Sequence, residues 1–201
     1  MPLVVDYFFA PQSPWAYLGH DRFTAIAEAA GARINVLPVD LGGKVFPASG
    51  GLPLAKRAPQ RQAYRLVELA RFSAHLGLAL NPRPKFFPVA ADAAARLIIA
   101  VDEHDGSDAA MALTGALLRA VWTEERDIAD ATELAAMLTA LQLPARRLDD
   151  SRSAAVGTRY DADSQRAIDL GVFGAPSYLV DGELFWGQDR LDFLQRRLAR
   201  G

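Results

Sequence analysis

The chain of 201 residues contains no cysteine. Disulfide scaffolds, thiolate zinc sites, iron–sulfur clusters and reactions that need a cysteine nucleophile or a dithiol are therefore excluded for this chain on its own. If thiol chemistry takes place here, a ligand has to bring the sulfur. An excess of positive charge is also missing, because 22 Lys and Arg residues stand against 24 Asp and Glu residues and the net charge is −2. The chain thus lacks the cationic field that attracts nucleic acid or an anionic membrane.

Long apolar segments and metal-binding motifs are missing as well. No segment reaches the roughly eighteen uncharged apolar residues of a membrane helix, and residues 1–6 lack the basic start and the cleavage site of a secretory signal. We therefore expect a soluble, cytoplasmic protein without a membrane or nucleic-acid partner. The three histidines, His20, His75 and His104, have no metal-ligand spacing and are expected at the surface or on a helix face.

Hydrophobic residues make up 51% of the chain, which is enough for a sizeable folded core. Their patterning predicts strands at 3–9 and 33–39, joined by a helix and therefore parallel. A block of helices follows, and then a helix, two strands at 177–180 and 183–186, and a last helix at 189–200. The strands at the two ends match the halves of a thioredoxin-like fold.

The predicted fold class is therefore α/β, a thioredoxin-like β-α-β / β-β-α domain with an all-α insertion between its halves. We assign residues 1–59 and 149–201 to the thioredoxin-like domain and residues 60–148 to the α-helical insertion domain. Residues 40–59 hold two Gly-Gly pairs and little periodicity, which predicts a long loop. A polar stretch at 146–157 is expected to lead into a helix at 159–170.

Ser13 stands before Pro14 at the predicted junction of the first strand and the first helix. Its plain interpretation is an N-cap serine followed by a proline at the first helical position. The same position supports a second interpretation, because a helix N-terminus with free N–H groups favours an anion such as a thiolate. The Ser13 hydroxyl could donate a hydrogen bond to a sulfur that arrives with a ligand. Both interpretations stay open.

Ala175 and Pro176 precede the third predicted strand. Most X-Pro bonds are trans, which would make this an ordinary turn. In a thioredoxin-like sheet, however, the proline before the penultimate strand is cis and directs the N–H and C=O groups of the preceding residue toward the site. Ala175 could then pair antiparallel with the backbone of a peptide-like ligand, and Pro176 would lie across from Ser13.

A third candidate lies at the start of the last helix. Position alone favours a plain interpretation, in which Asp189 complements the helix dipole and Trp186 is a core residue. Alternatively, Gln188 and Asp189 contact the ammonium and carboxylate groups of a ligand. Four basic residues are expected to form a solvated face, with a ligand carboxylate as the second interpretation and nucleic acid as the third: Lys56, Arg57, Arg61 and Arg65.

These candidates belong to longer motifs, which read DYFF at 6–9, SPWAYL at 13–18, GVFGAP at 171–176 and DGELFWGQDRL at 181–191. Together the motifs resemble those of the 2-hydroxychromene-2-carboxylate isomerase family. That family is close to the kappa-class glutathione transferases and shares their thioredoxin-like domain with a helical insertion. The resemblance covers nearly the whole chain, and the last motif is the most specific.

The resemblance implies glutathione as a cofactor that is not consumed. It places Ser13, as the catalytic residue, beside the glutathione sulfur, and it makes Ala175, before the cis proline Pro176, the residue that holds the cysteinyl backbone. The implied contacts to the γ-glutamyl end come from three further residues: Trp186, Gln188 and Asp189. The resemblance also implies a homodimer.

The family reaction converts 2-hydroxychromene-2-carboxylate to trans-o-hydroxybenzylidenepyruvate in the degradation of naphthalene-type aromatic compounds. Reversible addition of a thiolate to the enone would let its double bond rotate. We therefore expect a glutathione-dependent cis–trans isomerase with a small aromatic substrate. Two alternatives stay open, a kappa-like glutathione transferase and a non-catalytic module that binds thiols or peptides.

The chain departs from the family pattern at four positions. Ala10 replaces an acidic residue, Gly51 matches an asparagine of the long loop, and Arg61 matches a lysine that we expect to bind the cofactor. Lys44 has no clear counterpart. The residues expected to bind glutathione thus match the family pattern better than those expected to bind the substrate.

Overall fold

Four strands form one mixed sheet in the computed structural model, which describes residues 3–200. In sheet order they are β2 (Arg33–Pro38), β1 (Val4–Phe9), β3 (Ser177–Val180) and β4 (Glu183–Trp186). The first strand pairs parallel with β2 and antiparallel with β3, and β3 pairs antiparallel with β4. The α/β thioredoxin-like fold built from both ends of the chain is confirmed.

The helices surround this sheet. Their bounds are α1 (Pro14–Ala29), α2 (Phe46–Ser49), α3 (Pro59–Leu76), α4 (Asp92–Asp105), α5 (Ser107–Trp122), α6 (Ala131–Ala140), α7 (Arg147–Asp150), α8 (Ala154–Asp169) and α9 (Leu191–Leu198). A π-helical turn at Leu41–Val45 and two 3-10 turns at Leu54–Lys56 and Gln188–Arg190 complete the set. The predicted helical insertion between the two halves of the fold is confirmed, whereas its bounds at residues 60 and 148 stay a prediction.

The first strand shows why helices cover both faces of the sheet. Successive side chains of a strand point to opposite faces. Accordingly, Tyr7 and Phe9 join the larger core with α1, α4, α5 and α9, while Phe8 joins a smaller core on the α8 side. Tyr7 stacks on Tyr178 of β3 with ring centroids 5.4 Å apart. Burial of each such aromatic side chain contributes about 1.5–3 kcal/mol, so the sheet is a rigid base for the loops at its edge.

The segment at residues 40–59 is not the irregular loop that its glycines and prolines suggest. It contains α2 and two helical turns, and the Asp40 carboxylate caps the first turn by accepting a hydrogen bond from the Gly43 N–H at 2.7 Å. A side chain at Gly51 would collide with the Phe46 ring, so a small residue is required there. Arg57 stabilises the end of the segment, because its Nε donates a hydrogen bond to the Leu52 carbonyl at 2.8 Å.

One other expectation is wrong. The helix α8 begins at Ala154 rather than near residue 159, because Ser153 caps it by accepting from the Val156 N–H at 3.2 Å. Of the two positions expected for His20, the structure gives the helix face rather than the surface. This histidine is 5% exposed and its Nε2 lies 3.0 Å from the Met111 carbonyl, because α5 covers this side of α1. Burial lowers the pKa of His20.

Within residues 3–200, none of the helices has both the length and the apolar character that crossing a bilayer requires.

Candidate active site

Three of the predicted site segments meet at one edge of the sheet. Ser13 follows the carboxyl end of β1, where its N–H donates to the Ala10 carbonyl at 2.9 Å. The antiparallel pairing of Phe8 with Ser177 brings the start of β3 to the same end of β1. The turn after β4 reaches this edge as well, since the Gly187 N–H donates to the Pro176 carbonyl at 2.9 Å.

Ser13 is the N-cap of α1. Its Oγ accepts a hydrogen bond from the Ala16 N–H at 3.2 Å, so the plain interpretation is correct as far as it goes. Capping uses a lone pair of the oxygen and leaves the O–H as a donor. In the described part of the chain this O–H has no acceptor. The buried hydroxyl therefore combines a cap with a free donor at the positive end of a helix dipole.

Ala175 is buried and lines a cavity at this edge of the sheet. The Ala175–Pro176 peptide bond is cis, as predicted. The turn before β3 is held by the Ser177 hydroxyl, which donates to the Gly174 carbonyl at 2.8 Å. No group within residues 3–200 forms a hydrogen bond with the N–H or the C=O of Ala175. A buried main-chain group without a partner costs about 1–3 kcal/mol, so this position suits a ligand that supplies both partners.

Gln188 is 2% exposed and its amide is held in one orientation. Arg22 of α1 donates through Nη1 to the Gln188 Oε1 at 3.1 Å and to its carbonyl at 3.3 Å. Because a guanidinium only donates, the amide oxygen faces Arg22 and Nε2 is directed away from it. Nε2 is buried and has no partner in the described structure. Gly19 permits this packing, since a Cβ there would lie 2.9 Å from the Gln188 Cβ.

Trp186 is 50% exposed and is not a core residue, so the plain interpretation of this tryptophan is wrong. Its indole packs on the Phe173 ring with centroids 4.8 Å apart. It also lies so close to Gly174 that any side chain there would collide with it. The neighbouring Asp189 carboxylate pairs with Arg190 at 2.5 Å and remains partly accessible. The turn thus presents one aromatic face and one carboxylate beside Ala175.

These segments and the helix α3 enclose a cavity of about 530 Å³. Its lining combines aromatic, basic and amide side chains: Trp15, Arg57, Gln60, Arg61, Tyr64, Arg65, Glu68, Phe72, Ala175, Trp186, Gly187, Gln188, Asp189 and Arg190. Five of the seven predicted site residues are among them. Of the described residues that we predicted, Ser13 and Pro176 are the two that do not line it. The volume is typical of a site for a small molecule.

Two arginines of this lining depart from the expectation of a solvated basic face. Lys56 and Arg61 are exposed as predicted, but Arg57 and Arg65 are half-buried in the cavity wall. Within residues 3–200, no carboxylate pairs with Arg57, Arg61 or Arg65. Burial, together with the neighbouring Arg57, lowers the pKa of Arg65 to about 10. With four arginines against two carboxylates in its lining, the cavity favours an anionic ligand.

Two residues of the loop segment, Lys44 and Gly51, do not line the cavity. Lys44 pairs with Asp161 of α8 at 2.7 Å, and Gly51 makes room for Phe46. In the described range, no cluster of His, Asp and Glu side chains is arranged to hold a metal ion.

Sequence reasoning missed Arg22 and Gly19. The arginine donates to a residue 166 positions away, a distance that no local pattern encodes. Gly19 carried a weak signal, because a glycine inside a predicted helix often marks a close approach of another segment.

Comparison with known proteins places this geometry in a family. Residues 4–199 match the family described as DSBA-like thioredoxin domain. The 2-hydroxychromene-2-carboxylate isomerase of Sphingobium xenophagum is 30% identical over 199 residues, covering 98% of this chain and 99% of that protein. The enzyme of the same name from Pseudomonas putida is 30% identical over 209 residues, with 98% and 95% covered.

A solved structure of 2-hydroxychromene-2-carboxylate isomerase superposes with a TM-score of 0.81 and 27% sequence identity, covering 98% of this chain and 95% of that one. Sequence and fold agree over nearly the full length of both partners. The chain therefore belongs to the 2-hydroxychromene-2-carboxylate isomerase family of DSBA-like thioredoxin proteins and is an enzyme of the isomerase class.

Proposed function

We propose that this enzyme is a glutathione-dependent cis–trans isomerase of an aromatic catabolite of the 2-hydroxychromene-2-carboxylate type. The observation that carries the proposal is the unpaired N–H and C=O of buried Ala175 in a cavity wall. These groups suit a ligand with a peptide backbone. Since the chain has no cysteine, a thiol for the reaction has to belong to that ligand. Glutathione has both properties.

The residues around the cavity fit glutathione in charge and hydrogen bonding. Ala175 would pair with the cysteinyl main chain. The Gln188 Nε2, which has no partner in the described structure, would donate to the α-carboxylate of the γ-glutamyl end. The Asp189 carboxylate would pair with the ammonium of the same residue, and the Trp186 ring would pack against its methylene groups. Arg61, which has no ion-pair partner in the described structure, would bind the other carboxylate.

Bound glutathione would supply a thiolate able to add to the enone, which leaves a rotatable single bond, and to depart again as the double bond re-forms. Ser13 would help to keep that sulfur ionised, because its free O–H can donate to an anion at the N-terminus of α1. A preorganised donor of this kind contributes about 2.7–4 kcal/mol to a transition state that carries the charge. The rings of Trp15 and Phe72, in edge-to-face contact at 6.0 Å, give the cavity an apolar wall for the substrate's ring.

The first test of the proposal is thermal unfolding with and without glutathione. At about 100 times the dissociation constant, bound glutathione should raise the free energy of unfolding by roughly 2.7 kcal/mol. The dipeptide Cys-Gly, which lacks the γ-glutamyl group, should give a smaller rise. The proposal is wrong if millimolar glutathione leaves the midpoint unchanged.

The second test replaces Ser13 by Ala. We expect turnover to fall by about 10²–10³-fold, while loss of the cap lowers the free energy of unfolding by about 1 kcal/mol. The matched control is Ser153→Ala, which removes an N-cap of the same geometry from α8. It should cost similar stability and no turnover.

A readout besides activity separates the role of Ser13 as a donor from its role as a cap. The ultraviolet absorbance of the thiolate should titrate at a higher pH in glutathione bound to Ser13→Ala than in glutathione bound to the original enzyme or to Ser153→Ala. Unchanged kinetics and an unchanged titration would leave Ser13 as a cap alone.

The reaction itself is tested with two substrates. Isomerisation of 2-hydroxychromene-2-carboxylate without consumption of glutathione is the expected result. Conjugation of a chlorodinitrobenzene electrophile without isomerisation would replace the proposal by a kappa-like glutathione transferase. Binding of glutathione without turnover of either compound would indicate a non-catalytic binding module.

The proposal includes a homodimer located in the cytoplasm. Tyr64 and Val67 support a partner, since both are exposed apolar side chains of α3. Sedimentation equilibrium of the purified enzyme tests the dimer, and fractionation of the producing cells tests the location.

A further inference from the structure

Arg65 occupies an unusual position in the cavity wall. It lies on α3, is half-buried, and has its Cζ 5.1 Å from the Phe87 ring centroid and 5.7 Å from that of Trp122. Its Nη2 is fully buried without a hydrogen-bond acceptor in the described structure. Glu68, the lining carboxylate on the same helix, is paired with Arg71 at 3.0 Å instead.

This position is unfavourable for a charge that acts only in the fold. A guanidinium removed from water needs a carboxylate or several acceptors to recover its hydration energy. The two aromatic rings hold the group in place and offset part of the loss. The remaining penalty is seen in the pKa of Arg65, which burial lowers to about 10. An anion bound at the part of the guanidinium that lines the cavity would offset this penalty.

The surroundings indicate which anion fits. Arg57 lines the same cavity and adds positive charge near Arg65. Trp15 and Phe72 form an aromatic wall with an edge-to-face contact at 6.0 Å. Tyr64 adds a third ring to this lining. A carboxylate attached to a planar ring would therefore contact both the charge and the aromatic wall.

We propose that Arg65 binds the carboxylate of an aromatic substrate and thereby determines specificity for aromatic acids over their neutral analogues. The inference rests on the proposed function, which leaves the Ala175 and Gln188 end of the cavity to glutathione. The planar guanidinium can donate two parallel hydrogen bonds to a carboxylate. The ring of the substrate lies against Trp15 and Phe72.

Calorimetric titration with 2-naphthoate and with 2-naphthamide tests this inference. The two probes share the ring and differ in charge. The enzyme should bind the acid roughly 10- to 100-fold more tightly than the amide, which corresponds to a charged hydrogen-bond pair. Arg65→Met should bind both probes equally, and Arg65→Lys should keep part of the preference.

The matched control is Arg152→Met, which removes the same charge from an exposed position paired with Asp149. It should retain the full preference for the acid. Equal binding of acid and amide by the unaltered enzyme would overturn the inference, and so would a preference that persists in Arg65→Met. The comparison of the two probes on the unaltered enzyme does not depend on any variant being folded.

The midpoint of thermal unfolding gives a second readout. If Arg65 acted only in the fold, its replacement would lower this midpoint. Arg65→Met should unfold at the same temperature as the unaltered enzyme or at a higher one, because it removes an unpaired charge. A lower midpoint together with a retained acid preference would assign Arg65 to the fold alone.

The glutathione experiment separates this inference from the proposed function. If glutathione raises the unfolding midpoint but the enzyme binds 2-naphthoate and 2-naphthamide equally, the inference is refuted and the proposed function stands. An Arg65-dependent preference without a glutathione shift would refute the proposed function and leave an aromatic-acid site.

Discussion

Two arginines of the helices between β2 and β3 are placed in opposite ways. Arg147 of α7 has a side chain that is 4% exposed, and it donates to both oxygens of Asp105 at 2.6 and 2.7 Å and to Asp150 at 2.8 Å. These bonds raise the pKa of Arg147 above its usual value and lower the pKa of Asp105. Arg65 is packed on aromatic rings without a carboxylate partner in the described structure, and its pKa is lowered to about 10.

The charge of Arg147 stabilises the fold, whereas the charge of Arg65 is available to a ligand. The chain satisfies Arg147 completely, and that residue joins the end of α4 to α7. The chain leaves Arg65 unsatisfied at the wall of a cavity that also contains Ala175 and Gln188. Two buried side-chain atoms of its lining, Arg65 Nη2 and Gln188 Nε2, have no hydrogen-bond partner in the described structure.

The largest expected difference between the two arginines is in stability. Arg147→Met should lower the free energy of unfolding by about 3–5 kcal/mol, because it leaves the Asp105 and Asp150 carboxylates without their partner. Arg65→Met should lower it little or not at all. Urea unfolding of the two variants measures both values. Replacing Asp105 by Leu in the Arg147→Met background should recover part of the loss, whereas equal losses from the two arginine variants would contradict the comparison.

The second difference concerns pH. Since the pKa of free Arg65 is lowered to about 10, its charge is present below that pH and is lost as the pH rises through it. Binding of an aromatic carboxylate should therefore weaken by about tenfold for each pH unit above roughly 10. Arg147, whose pKa is raised, keeps its charge over the same range.

Titration of 2-naphthoate at about pH 8 and about pH 11 measures this effect. Titration of 2-naphthamide is the control, since its affinity should not follow the charge of Arg65. An acid affinity that stays constant up to about pH 11 would show that another group holds the carboxylate.

Local signals were sufficient for much of the fold and for part of the site. The N-cap Ser13, with proline after it, placed the start of α1 to the residue. Short segments rich in β-branched and aromatic residues gave the strands. These features depend on neighbours within a few residues, so a single sequence contains them. The cis bond before Pro176 followed instead from the thioredoxin-like order of the elements.

The features that the sequence did not indicate depend on which helix covers which face. His20 has the same local sequence whether α5 lies over it or not. Arg65 was assigned to a solvated face because its aromatic neighbours, Phe87 and Trp122, are distant in sequence. The orientation of Gln188 by Arg22 is likewise set by packing between distant segments.

The smallest expected effect concerns Lys44, whose pair with Asp161 lies at the surface rather than in the cavity. The contact is 2.7 Å long, with side chains 37% and 62% exposed, and it lowers the pKa of Asp161. Exposed pairs gain little because water already solvates both charges and holding two mobile side chains together costs entropy. Lys44→Met should therefore leave the urea midpoint, the glutathione shift and the acid preference unchanged within error. If glutathione no longer raised the unfolding midpoint of Lys44→Met, the loop segment would have to contact the ligand. The binding site would then extend beyond the residues that line the cavity.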